Sequence, residues 1–181
     1  MLMIEGPARQ VMIGTALFLI CMGLLLFLRL LPLTIGLPGW PGPDLGLCLT
    51  FAWVLRRPDQ LAAPVIALIF LAEDILLLRP PGLWAAIVLL GTEAARLREA
   101  RWRDQPFMVE WLRVAILIGA MMLGYRVVLL LSMSPIPALG QVLLQYIATV
   151  AAYPLVVFAA RWLIGLRRID SAESEMMRYR R

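Results

Sequence analysis

Long apolar segments dominate this sequence and limit the folds that the chain can adopt. Residues 11–35 contain one charged side chain, Arg29, among otherwise apolar or small residues. A helix of that length measures about 37 Å, more than the roughly 30 Å thickness of the hydrocarbon core of a bilayer. The whole chain has 181 residues, of which 62% are hydrophobic and 16% charged. A typical soluble domain has about 25% charged residues, so the sequence predicts a membrane protein.

The other apolar segments predict an all-α, polytopic bundle of six transmembrane helices in a single domain, residues 1–166. Turns rich in Gly, Pro or charged residues separate the segments. Asp44 is well placed as the N-cap of the second helix, which is short for a bilayer crossing, and Pro154 predicts a kink in the last one. The predicted spans are residues 11–35, 44–55, 61–78, 82–98, 109–133 and 138–166, followed by a polar cytoplasmic tail at 167–181.

The distribution of arginine predicts the orientation of the bundle. All 17 basic residues are arginines, and six spans place both termini on one side. The loops on the opposite side contain only Arg79. Because positively charged loops stay in the cytoplasm, both termini are predicted to be cytoplasmic. The arginines on the side of the termini are Arg9, Arg56, Arg57, Arg96, Arg98, Arg101, Arg103, Arg167, Arg168, Arg178, Arg180 and Arg181.

The residue types that are absent exclude several kinds of chemistry. The chain has no histidine, which excludes a Ser-His-Asp triad and imidazole metal sites. Cys21 and Cys48 lie in apolar runs without metal-ligand spacing, and we interpret them as small buried side chains. We expect no catalytic residue, metal or cofactor. The net charge of +5 is explained by membrane orientation and contact with anionic lipids rather than by nucleic-acid binding.

Four ionisable residues are predicted at similar depth in the outer half of the membrane: Arg29, Glu73, Asp74 and Arg126. An ionised group at the centre of a membrane helix costs about 2.5 to 3.5 kcal/mol on insertion scales, so each one requires a reason. We expect Arg29 and Arg126 to pair with Asp74 and Glu73 inside the bundle. In the alternative, both arginines extend to the outer interface and only the acids are buried.

The acidic residues offer little for acid–base chemistry. Glu73 and Asp74 are adjacent, so on a helix they point about 100° apart and cannot face each other as a pair. A proton relay from Asp74 to Glu93 is a further alternative, although Glu93 is predicted toward the cytoplasmic end of its span, near Arg96 and Arg113.

The run WPGPDLGLCLTFAWVLRRPDQLAAPVIALIFLAEDILLLRPPGLWA, within residues 40–96, resembles the rod shape-determining protein MreD family of bacteria. In that family a Pro and a polar Asp or Asn open a short helix. An aromatic pair with Trp then precedes a Pro turn, and an Asp on the next helix is followed by a Gly turn. Glu73 beside Asp74 departs from this pattern, and so does Ala52, which replaces the first aromatic. The corresponding residues here are Pro43, Asp44, Trp53, Pro58, Asp74 and Gly82.

The resemblance implies a non-enzymatic, multi-pass protein of the bacterial inner membrane that maintains rod cell shape. Such proteins bind MreC and help couple cytoplasmic MreB filaments to peptidoglycan synthesis by RodA and its penicillin-binding transpeptidase. The alternative is a small-solute transporter, or a substrate-binding membrane subunit resembling those of vitamin importers. Pro64 and Pro154 offer two helix breaks for such a site, but the two halves of the chain show no matching pattern.

Overall fold

A computed structural model describes residues 7–31, 41–102 and 106–163, with side chains for residues 9–31, 41–97 and 106–162. Over these ranges the chain forms six α-helices and one 3-10 turn, Pro58–Gln60, with no strand. The predicted all-α class is confirmed for this part of the chain. The helices are α1 (Pro7–Leu30), α2 (Leu45–Val54), α3 (Ala63–Leu76), α4 (Leu83–Trp102), α5 (Phe107–Leu131) and α6 (Leu139–Leu163).

Three of the helices are long and apolar enough to cross a membrane. They are Arg9–Leu30 in α1, Phe107–Leu131 in α5 and Leu139–Trp162 in α6, of 22, 25 and 24 residues. The shortest would measure about 33 Å, which exceeds a hydrocarbon core of about 30 Å. Each presents large apolar side chains outward, such as Ile20, Leu123 and Leu155. A soluble chain would bury such surfaces, so they indicate a membrane protein.

The short helix α2 lies at the centre of the bundle. Every residue from Leu47 to Val54 is buried, and the helix packs against α1, α4 and α6. A helix that is apolar on all sides is expected in such an interior position. Its 10 residues span about 15 Å, half of the hydrocarbon thickness. The predicted helix at 44–55 is therefore present, and its apolar composition is explained by neighbouring helices rather than by lipid alone.

Proline lies at several of the helix boundaries. α1 ends two residues before Pro32, because the residue that precedes a proline is disfavoured in the helical conformation. α3 begins with Pro64 in its first turn, and Pro106 is the N-cap of α5. These bounds lie within a few residues of the predicted spans. The predictions for residues 32–35, 164–166 and the tail 167–181 concern residues outside the described ranges.

Helices α3 and α4 form a tight antiparallel pair joined by a turn. Leu78 and Gly82 in this turn have φ of 53° and 85°, in the left-handed region that favours glycine. α4 then carries Glu93 and Arg96 on its second half, so it is not among the long apolar helices. Cys48 is buried as predicted, whereas Cys21 is half-buried.

Candidate functional site

Among the described residues, two clusters of polar side chains lie near the two ends of α2. The first polar cluster consists of Arg29, Asp44, Glu73, Asp74 and Arg79, from the ends of α1 and α3 and the chain that enters α2 and α4. Successive antiparallel helices bring these ends together. The cluster therefore unites three of the four residues predicted at one membrane depth, Arg29, Glu73 and Asp74.

Arg29 is paired with Glu73 in the first polar cluster. Its Nη1 donates to Oε1 of Glu73 at 2.7 Å and lies 3.5 Å from Oδ2 of Asp44. Nη1 of Arg79 approaches the same Glu73 oxygen to 3.7 Å. Both carboxylates are buried, whereas the Arg29 side chain is 32% exposed. Two arginines thus offset the cost of burying these acids. Of the expected pairs, the contact between Arg29 and Glu73 is present.

Asp74 binds the beginning of the following helix. Its Oδ2 accepts hydrogen bonds from the backbone N–H groups of Gly82 at 3.1 Å and Ala85 at 3.2 Å. A carboxylate is favourable there because the first N–H groups of a helix have no intrahelical acceptor and carry a partial positive charge. The completely buried Asp74 therefore holds the α3–α4 turn.

The predicted partner of Arg126 is wrong. We expected it to pair with Asp74 or Glu73, but its Nη1 donates to the carbonyl oxygen of Pro137 at 2.7 Å. The physical reason is that α5 packs against α4 and α6, so Arg126 lies beside the α5–α6 turn. Arg29 is thus paired with one of the two predicted acids, whereas Arg126 binds a backbone carbonyl.

The second polar cluster lies at the other end of α2 and consists of Arg56, Glu110 and Tyr153. Oε1 of Glu110 accepts from Nη1 of Arg56 at 3.1 Å and from the Tyr153 hydroxyl at 2.7 Å. All three side chains are buried. The sequence analysis used Arg56 only as one of the loop arginines that predict orientation, and it gave Glu110 no role. The available signal was an acid just inside an apolar span, but only tertiary packing identifies its partner.

Glu93 lies apart from both clusters. It is paired with Arg96 one turn later, Nη1 to Oε1 at 3.2 Å, and Arg96 also donates to the carbonyl oxygen of Leu61. Glu93 is ten residues beyond Leu83, which places it about 15 Å along α4 from the end that Asp74 binds. The two carboxylates do not touch, so the structure offers no direct proton transfer between them.

The positions that carry the family resemblance lie at helix ends and turns. Oδ1 of Asp44 accepts from the backbone N–H of Leu47 at 3.0 Å, which makes Asp44 the N-cap of α2 as predicted. The Asp44 N–H donates to Oγ1 of Thr149 on α6 at 3.0 Å. Trp53 is buried and donates to Oε1 of Gln60 at 3.3 Å, across the 3-10 turn that Pro58 begins. Pro43 precedes the cap, and Gly82 adopts the left-handed conformation.

A cavity of about 380 Å³ opens between α1, α2 and α3 beside the first polar cluster. Most of its wall is apolar, and three ionisable side chains lie along it. Its lining consists of Met22, Leu25, Leu26, Leu28, Arg29, Pro43, Asp44, Leu45, Gly46, Ile69 and Glu73.

These features are those of a helical membrane protein. Most of its buried ionised side chains bind one another or the end of a helix. Among the described residues, no group of His, Cys, Asp and Glu could hold a metal ion. The chain matches no protein-family model, no curated protein and no solved structure.

Proposed function

We propose that this chain is a non-enzymatic scaffold of the bacterial cell-elongation machinery, similar in role to the MreD family. In this proposal it is an inner-membrane protein with six spans and both termini in the cytoplasm. It binds MreC and couples MreB filaments on the cytoplasmic side to RodA and its penicillin-binding transpeptidase. Its arginine-rich cytoplasmic face contacts anionic lipids.

The supporting observation is that the residues behind the resemblance lie at or near helix ends and turns of the segment from α2 to α4. Two of them, Asp74 and Gly82, are joined directly by a hydrogen bond of 3.1 Å. Asp44 caps α2, and Trp53 binds across the turn that Pro58 begins. Residues that fix helix ends and turns are what a non-catalytic motif requires, because they act by holding a surface in place for a partner.

The outward faces of α1, α5 and α6 offer such a surface. Each carries large exposed apolar side chains, so either lipid or a membrane helix of a partner can contact it. In this proposal MreC occupies part of that surface, and lipid covers the rest.

Depletion in the native bacterium tests the proposal. We expect depleted cells to become round, and a tagged wild-type copy to restore rods and recover MreC from detergent extracts.

Asp74→Asn weakens the acceptor that holds the α3–α4 turn and should recover less MreC. Asp59→Asn makes the same change in charge at an exposed turn residue and should behave as wild type. Normal rods after depletion, with no MreC recovered, would contradict the scaffold role and favour the solute-binding alternative.

A further inference from the structure

The cavity between α1, α2 and α3 contains a buried oxygen that is ready to accept a hydrogen bond. Asp44 is only 1% exposed, and its Oδ1 is occupied by the N–H of Leu47. Its Oδ2 accepts no hydrogen bond from any residue that the structure describes. Nη1 of Arg29, 3.5 Å from Oδ2, donates to Glu73 instead. Buried carboxylate oxygens are normally hydrogen-bonded, so Oδ2 can bind a donor group of a ligand in the cavity.

The charges around the cavity favour a cation as that donor. The ionisable groups of its wall are Asp44, Glu73 and Arg29, which sum to one negative charge. The two other members of the first polar cluster, Asp74 and Arg79, cancel each other, so the sum stays the same. In an environment of low dielectric constant an uncompensated negative charge attracts a cation strongly.

The size and wall of the cavity indicate an apolar body behind the cationic group. Its volume of about 380 Å³ lies within the range of small-molecule sites, about 300 to 1,000 Å³. Most of the lining is aliphatic, including Leu25 on α1 and Ile69 on α3. Such a wall excludes a small hydrated ion and accepts an alkyl chain.

We propose that this cavity binds an amphipathic primary ammonium compound. The ammonium group donates to Oδ2 of Asp44, and the apolar part lies against Leu25 and Ile69. This chemistry is shared by two sources, the headgroup region of an aminophospholipid and a free alkylamine. The proposal goes beyond the scaffold role and does not depend on it.

Calorimetric titration of the purified full chain with n-hexylamine tests the proposal. The protein is reconstituted in nanodiscs of phosphatidylcholine, which has no primary amine, and empty discs correct for partitioning. We expect saturable binding of n-hexylamine and weaker binding of n-hexanol. Asp44→Asn preserves the helix cap, because Asn is as good an N-cap as Asp, but removes the charge. Loss of a charge-assisted hydrogen bond should weaken binding about tenfold to a hundredfold.

Two further variants serve as a control for charge and as a second test of the cavity. Asp59→Asn, at an exposed turn, should leave the affinity unchanged. Ile69→Phe fills the cavity without changing charge and should also weaken binding if Asp44→Asn proves poorly folded. No saturable binding to the wild type, or equal binding to wild type, Asp44→Asn and Ile69→Phe, would overturn the proposal.

Nanodiscs of phosphatidylethanolamine distinguish the two sources. If the lipid headgroup occupies the cavity, the apparent affinity for n-hexylamine falls in these discs by competition. If the affinity is unchanged, the site takes a free amine. These measurements use purified protein, so their failure is independent of the cell-shape and MreC assays of the scaffold proposal.

Discussion

Glu110 is the acceptor on which the second polar cluster depends. Its Oε1 binds both Arg56 and Tyr153, and all three are buried. Glu110→Gln leaves the Arg56 guanidinium without this counter-charge, and breaking a buried pair costs about 3 to 5 kcal/mol. We expect a correspondingly lower free energy of unfolding in detergent, measured by circular dichroism during denaturant titration.

Glu93→Gln is the matched control for that substitution. The Glu93 side chain is 40% exposed and pairs with Arg96 on the same helix, and such pairs contribute about 0 to 1 kcal/mol. If Glu110→Gln destabilises the protein no more than Glu93→Gln, the buried pair does not have the stabilising role described here.

Gly82 gives a second prediction at the residue scale. Its φ of 85° lies in the left-handed region, while a Cβ there would meet only Leu71 Cδ1, at 3.9 Å. Gly82→Ala therefore adds conformational strain without a clash, and we expect a loss of about 1 kcal/mol in the free energy of unfolding. Gly124→Ala, in the interior of α5 with open space around it, should instead be neutral or stabilising. The reverse order of stability would show that the turn does not require glycine.

At the scale of helices, Pro154 and Trp111 form a linked pair. Proline has no N–H, so the carbonyl oxygen of Val150, four residues earlier in α6, loses its usual helical partner. Nε1 of Trp111 on α5 donates to that same oxygen at 2.9 Å. A carbonyl freed by proline thus becomes a contact between two helices.

A double-mutant cycle measures this link. We expect Trp111→Phe to lower the free energy of unfolding by about 1 kcal/mol when Pro154 is present. In the Pro154→Ala background the restored N–H binds the Val150 carbonyl, so the cost of Trp111→Phe should fall. Trp162→Phe changes an indole that is 80% exposed, and serves as the control. Equal costs of Trp111→Phe in the two backgrounds would exclude the coupling.

The same helices and turns show which features of the structure could be predicted from the sequence. Local rules predicted the start of α2 well, because Asp44 acts within one helical turn of its own position. Depth along the helices left two positions open for Arg29, a pair with a buried acid or the outer interface, and local rules could not choose between them. They could not identify the partner of Arg56 or the position of Arg126, because these depend on which helices are neighbours. The central position of α2 was missed for the same reason, since a short apolar helix suits both lipid and protein surroundings.

At the scale of the whole molecule, the length of α2 explains why most charged side chains of both polar clusters bind a partner within the protein. Asp44 and Arg56 are twelve residues apart, so the clusters that contain them are separated by about 18 Å along the helix axis. A hydrocarbon core is about 30 Å thick, so a bundle that spans a bilayer places both clusters within it or at its edge. Water is scarce at that depth, and ionised groups must find partners inside the protein.

The same geometry predicts that the two ends of the bundle face opposite sides of the membrane. Asp59 follows α2 at the end that holds the second polar cluster, whereas Ser132 follows α5 at the opposite end. If the bundle has the six spans and cytoplasmic termini proposed above, Asp59 faces the cytoplasm and Ser132 faces the periplasm. In a background of Cys21→Ala and Cys48→Ala, we expect Ser132→Cys to react with a membrane-impermeant maleimide in spheroplasts. Asp59→Cys should react only after lysis.

Both sites are exposed, so a difference in labelling reports the side of the membrane rather than burial. Labelling of Asp59→Cys in intact spheroplasts would reverse the orientation, and labelling of both would show that the segment between them does not cross as three spans.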